Sequence, residues 1–286
     1  VSSVLCVEAS LAGTISEFRP KTYDSKEAQL RALIESNQTA DVTKLIKDGV
    51  NVNFKYEDGS YPIFAAVYSG DLDIVKLLIE NGAEVNRKDG SNRTALHYAA
   101  LEARPDIINV LIENGATVKN NPALLHWAVK GGSVYVIKLL IEKGANVNDN
   151  QALLHYAINT GHPEIVKVLI EKGANVNVKC RNQMTPLIVA VMKGDIDSVK
   201  LILDHGVEKI DDTDKERHTA LLYASSSGNK EMSKLLIQNG ANMFAAGLAQ
   251  FTFYKWAEED SFFLEHLKED IIEVNEMEQK KKAGAT

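Results

Sequence analysis

Leu77-Leu78-Ile79-Glu80-Asn81-Gly82 is the stretch that decides the fold, because the chain keeps returning to it. Variants of the same phrase end at Gly49, Gly115, Gly144, Gly173, Gly206 and Gly240. The intervals between successive glycines are 33, 33, 29, 29, 33 and 34 residues. A fixed period in this range marks a stacked-repeat architecture, in which each unit buries its apolar face against its neighbours. Ahead of each glycine the aliphatic residues fall at helical spacing, as at Ile74, Leu77 and Leu78. The glycine then stands where a helix needs a left-handed C-cap, a conformation that costs glycine little. A polar break such as Ser69-Gly70-Asp71 separates this outer helix from one before it. The prediction is an all-α repeat solenoid built from helix pairs.

The start of each inner helix carries a second signature. Thr94-Ala95-Leu96-His97-Tyr98-Ala99 has close variants at Thr185-Pro186-Leu187-Ile188 and Thr219-Ala220-Leu221-Leu222. Ala123-Leu124-Leu125-His126 and Ala152-Leu153-Leu154-His155 keep the Leu-His pair. Together with the Gly-Ala-x-Val-Asn tails at 82–86, 144–148 and 173–177, these phrases resemble the ankyrin repeat family. The resemblance implies a stack of helix–turn–helix units with short β-hairpin fingers, with about seven repeats over residues 25–245. Residues 1–24 are then an N-terminal extension, 246–275 divergent C-terminal capping helices, and 276–286 a charged tail. It further implies binding of a protein partner through a groove and a row of fingers. Asn86, in Leu78-Ile79-Glu80-Asn81-Gly82-Ala83-Glu84-Val85-Asn86, resembles sites of asparaginyl hydroxylation, set against a plain bracing role for the side chain.

Composition bounds the function. The chain has 286 residues, 32 Lys plus Arg against 39 Asp plus Glu, and a net charge of −7. That balance argues against nonspecific nucleic-acid binding, which needs a basic face. No apolar run approaches the ~18 residues of a membrane span. The two cysteines, Cys6 and Cys180, form no disulfide framework and favour a reducing, cytoplasmic compartment. A signal-peptide remnant at residues 1–10 stays open, although Glu8 interrupts the apolar stretch and no basic leader precedes it. No cofactor is implied, and the protein is expected to be monomeric on its own.

Nothing in the sequence reads as an active site: there is no phosphate-binding glycine loop, nucleophile elbow or His-x-x-x-His pair, so the expectation is a noncatalytic module. His97, His126 and His155 recur every 29 residues, but successive helices stand ~10 Å apart, too far to share one metal ion. Each is expected to bond within the fold. The most specific feature is a pair of units four residues short, near Asn120 and Asp149. The residues missing are those of the finger tip, so two adjacent fingers should be blunt turns. That is either a neutral loss or a gap for a partner.

Register assigns the candidate interface. Groove positions are Tyr68, Leu101, Lys130, Asn159 and Met192, with Trp127 and Tyr156 three residues before Lys130 and Asn159. Finger positions are Asp58, Arg93, Arg181, Met184 and His218. The leading reading is an adaptor or scaffold. The alternatives are an I-kappa-B-like or pathogen-effector inhibitor that sequesters a signalling protein, and a targeting or regulatory domain of a larger enzyme.

Overall fold

The computed structural model describes residues 25–245, 250–257 and 259–266, and their contacts divide into two compact units that part between Ala116 and Thr117. The expected extension at 1–24, the tail at 276–286 and, within the cap, residues 246–249, 258 and 267–275 lie outside the described residues.

The first unit holds three helix pairs: α1 (Lys26–Glu35) with α2 (Thr39–Lys47), α3 (Pro62–Ser69) with α4 (Leu72–Glu80), and α5 (Ala95–Leu101) with α6 (Pro105–Glu113). The inner helices α1, α3 and α5 pack successively, and so do the outer helices α2, α4 and α6. The second unit holds four pairs: α7 (Pro122–Lys130) with α8 (Val134–Glu142), α9 (Leu153–Asn159) with α10 (Pro163–Glu171), α11 (Pro186–Lys193) with α12 (Ile196–Asp204), and α13 (Ala220–Ser226) with α14 (Lys230–Gln238). Here too the inner helices α7, α9, α11 and α13 pack in chain order.

Local chemistry sets the helix ends. Thr185 and Thr219 accept from the backbone N–H three residues on, capping α11 and α13. Thr94 and His97 form a reciprocal capping box at α5. At the other end, Gly82 closes α4 with a φ of +88°, in the left-handed region. Ala99 and Ala100 are fully buried, and their small side chains let inner helices approach. Leu78, Leu111, Leu140, Leu169 and Leu236 on the outer helices are likewise fully buried.

A last helix, α15 (Gln250–Ala257), packs on α13, and a short helical stretch follows at 261–266. Phe253 and Phe263 are fully buried with ring centroids 6.1 Å apart, and Trp256 lies 5.1 Å from Phe263. Lys230 and Lys234 of α14 reach this cluster through ion pairs to Glu259 (2.6 Å) and Asp260 (2.5 Å).

The fingers differ from the expected β-hairpins: no strand occurs among the described residues. Four full fingers are present, each a tight turn. In each, a backbone N–H donates to the carbonyl four residues on, Tyr56 to Ser60, Asp89 to Arg93, Cys180 to Met184 and Asp214 to His218. That bond and one turn bond inside it, such as Gly59 N–H to the Tyr56 carbonyl at 2.9 Å, close each finger without forming a ladder. The two short units carry no such closure, and turns at 119–121 and 149–152 lead straight into α7 and α9.

Candidate protein-binding face

On the inner helices of the second unit, the last residue or two of each helix projects out of the core. Lys130 on α7, Asn159 on α9 and Met192 on α11 are exposed, Met192 by 52%. Three residues earlier, Trp127 and Tyr156 are half-buried, so each presents an edge while the rest packs. The ammonium of Lys130 sits 5.3 Å from the Trp127 ring centroid, within cation–π range. His126 stacks on Tyr156 at 4.1 Å, tying α7 to α9. Burial, and then the nearby Lys130 charge, push the His126 pKa below its ordinary value. The exposed cations on these helix ends are Lys130 and, beside Met192, Lys193. In the first unit, Tyr68 at the end of α3 is 50% exposed and Leu101 at the end of α5 is half-buried.

The recurring histidines each have a local task. The ring of His97 bonds Thr94, whereas His155 donates from Nε2 to the Met184 carbonyl at 2.9 Å. His155 thus fastens the root of the 180–184 finger to the preceding inner helix.

Three of the five finger residues are tied into the fold. Asp58 pairs with Arg31 (2.7 Å) and accepts from Ser60. Arg93 pairs with Asp89 at 2.7 Å, and its guanidinium lies 5.0 Å from the Tyr98 ring. His218 stands edge-on to Tyr223, 3.8 Å from Asp214. Met184 is half-buried and Arg181 exposed. Of the five, Arg181 has the freest head group.

Register alone missed a clamp that recurs in two fingers. Asp89 and Asp214 each accept the hydroxyl of a tyrosine nine residues on, Tyr98 at 2.7 Å and Tyr223 at 2.6 Å. Each also accepts the backbone N–H four residues on. Burial alone would raise both carboxyl pKa values, but these hydrogen bonds outweigh it and hold both below the usual range. Burial and the same bond push the Tyr223 hydroxyl up to about 12. The signal was present in the sequence as an Asp nine residues before a Tyr, twice.

A second ladder links consecutive repeats. The side-chain amides of Asn53, Asn86, Asn148 and Asn177 donate to the carbonyls of Gly82, Gly115, Gly173 and Gly206 at 2.8–3.0 Å. Their register counterpart at the first short turn is Lys119, which cannot accept a hydrogen bond and whose stem lies along Gly144.

The short turns leave a recess. A cavity of about 410 Å³ opens between Pro122, the turn at 149–152 and residues 179–181. A smaller one, about 200 Å³, lies on the other side of the same turn, against Leu154 and Val178.

A family model for ankyrin repeats matches in three copies, over residues 30–122, 117–180 and 154–246. This chain is an ankyrin repeat protein. Among solved structures, the ankyrin repeat domain of human ASB11 superposes with a TM-score of 0.65 at 24% identity, covering 74% of this chain and 97% of that one. At that identity the likeness shows the ankyrin fold alone. A comparison with curated proteins found no match. Ankyrin repeats generally serve as protein–protein interaction modules. No helix among the described residues is long and apolar enough to cross a membrane.

Proposed function

We propose that this ankyrin repeat protein is a noncatalytic adaptor or scaffold that holds a partner protein along the inner-helix ends and fingers of its second unit. One observation carries the reading: Lys130, Asn159 and Met192 stand exposed on three successively packed helices, flanked by the half-buried Trp127 and Tyr156. Aromatic residues with an apolar body and a polar edge are favoured anchors at interfaces, and a Met beside them adapts to varied surfaces. None of the three exposed side chains is needed to fill the core. The free, half-buried thiol of Cys180 fits a reducing cytoplasm, and the net charge of −7 favours protein over nucleic-acid partners.

The test is paired affinity purification with the wild-type chain and a Lys130→Glu/Asn159→Arg variant. A protein retained in stoichiometric amount by the wild type should weaken by ~1–3 kcal/mol on the variant, with an unchanged circular dichroism spectrum. Equal retention by both chains moves the interface off this face.

A further inference from the structure

The recess left by the two short fingers has a chemistry of its own. Asp149, Lys179 and Arg181 line it and Lys119 stands outside that lining, at the first short turn; these charged groups sort into used and unused. Asp149 accepts from Asn146 at 2.9 Å, within its own turn. Lys179 pairs with Asp212 at 3.0 Å. Lys119, at the first short turn, and Arg181, at the rim beyond the second, are both exposed, and neither side chain has an ion pair or hydrogen bond among the described residues. The amide of Gln151 is exposed between them. An exposed cation is ordinarily just solvated. Here two of them bracket a gap where the repeat pattern predicts protein, and Lys119 displaces the Asn that four other repeats use as a bracket.

The gap has a definite length. Successive inner helices stand ~10 Å apart, so two blunt fingers leave ~20 Å of unfilled row. An extended chain rises ~3.3 Å per residue, and about six residues span that distance. An extended segment also needs partners for its backbone, and Asn150 and Gln151 are among the residues that line the cavity.

We propose that the gap receives an extended, acidic segment of the partner protein, about six residues long, with carboxylates near both ends that pair with Lys119 and Arg181. Its backbone lies where the missing finger tips would stand, against the turn at 149–152. This rests on the protein-binding reading above but places the contact on the finger side rather than the helix-end face. Arginine suits the task because its planar guanidinium can hold a carboxylate with two parallel bonds.

The experiment is selection of displayed random dodecamer peptides against the immobilised full chain, then fluorescence titration of the selected peptides. The expected peptides carry two Asp or Glu residues about five to six positions apart. Their affinity should fall at least tenfold with Arg181→Glu and again with Lys119→Glu, and should weaken as salt is raised. Grafting Asp89–Asn92 into the turn at 148–151 should abolish binding while the helical spectrum is retained, because exposed loops accept insertions. Selection of no peptide, peptides without acidic enrichment, or full-strength binding to the grafted chain would each overturn the proposal. Peptides that respond to Lys130→Glu/Asn159→Arg but not to Arg181→Glu sink the finger-gap site and leave the broader reading standing. Loss with both sets of variants keeps both.

Discussion

Asp214 keeps its charge with only 2% of its side chain exposed, because the Tyr223 hydroxyl and the His218 backbone N–H both donate to it. Its folded pKa lies below the unfolded value of about 3.9, so the group stabilises the fold above that pH. The contribution is lost as pH falls through the folded pKa, on the acid side of about pH 4. Tyr223→Phe removes one donor and raises that folded pKa. We expect the variant to lose about 1–3 kcal/mol at pH 7, the cost of leaving a buried acceptor short of a partner. The difference from wild type should shrink as pH falls below about 4 through the folded pKa, because protonating Asp214 weakens in the wild type the charge-assisted bond that the variant already lacks. Urea midpoints across that fall in pH check this, and a pH-independent difference would show that Tyr223 acts through packing alone. This residue-level clamp was hard to read beforehand. The 33-residue period draws attention to what every repeat shares, whereas the Asp–Tyr pair occurs in only two fingers.

At the scale of helices and turns, most of the fold could be read directly. The aliphatic spacing located the outer helices, the Thr-x-Leu and Leu-His phrases located five of the inner ones, and the four-residue deletions located the blunt turns. The fingers were over-read as β-hairpins, since the sequence shows a loop of the right length but not that its closing bonds form no ladder. The Asn ladder was legible only as a bracing role weighed against modification at Asn86. Its break at Lys119 went unnoticed because a Lys at an exposed turn looks ordinary. Restoring the ladder is informative. In Lys119→Asn the amide can donate to the Gly144 carbonyl, as Asn148 does to Gly173 at 2.9 Å, and its oxygen can accept a backbone N–H, as Asn148 does from Asn175. Exposed hydrogen bonds contribute about 0.5–1.5 kcal/mol each, so the variant should be stabilised by about 1 kcal/mol in denaturant titration. If Lys119 serves an acidic segment, the same change weakens that segment's binding. Stability and binding moving in opposite directions is the mark of a residue retained for recognition. A variant no more stable than wild type would show that the turn backbone cannot take the Asn geometry.

Across the whole molecule, the seven glycine phrases correspond to seven helix pairs, three in the first compact unit and four in the second. The division itself was not legible, because the Gly115-Ala116-Thr117-Val118 tail runs through it in the ordinary repeat pattern. In a solenoid each pair depends on the face its neighbour covers, so stability is a sum of local terms. The last pair of the second unit, α13 and α14, therefore depends on what covers its far side. Met232 and Leu236 of α14 are fully buried, and the Phe253–Trp256–Phe263 cluster lies beyond them, held by Lys230 and Lys234. Phe253→Ala should remove about 3–5 kcal/mol of local packing, the usual cost of emptying a buried aromatic site. Nearest-neighbour coupling makes the loss uneven. Amide hydrogen exchange should accelerate most in α13 and α14, less in α11 and α12, and little in α7 and α8. A uniform loss of protection from α7 to α14 would mean that the unit opens as a single block, and the aromatic cluster would then be part of one cooperative core rather than a cover for its end.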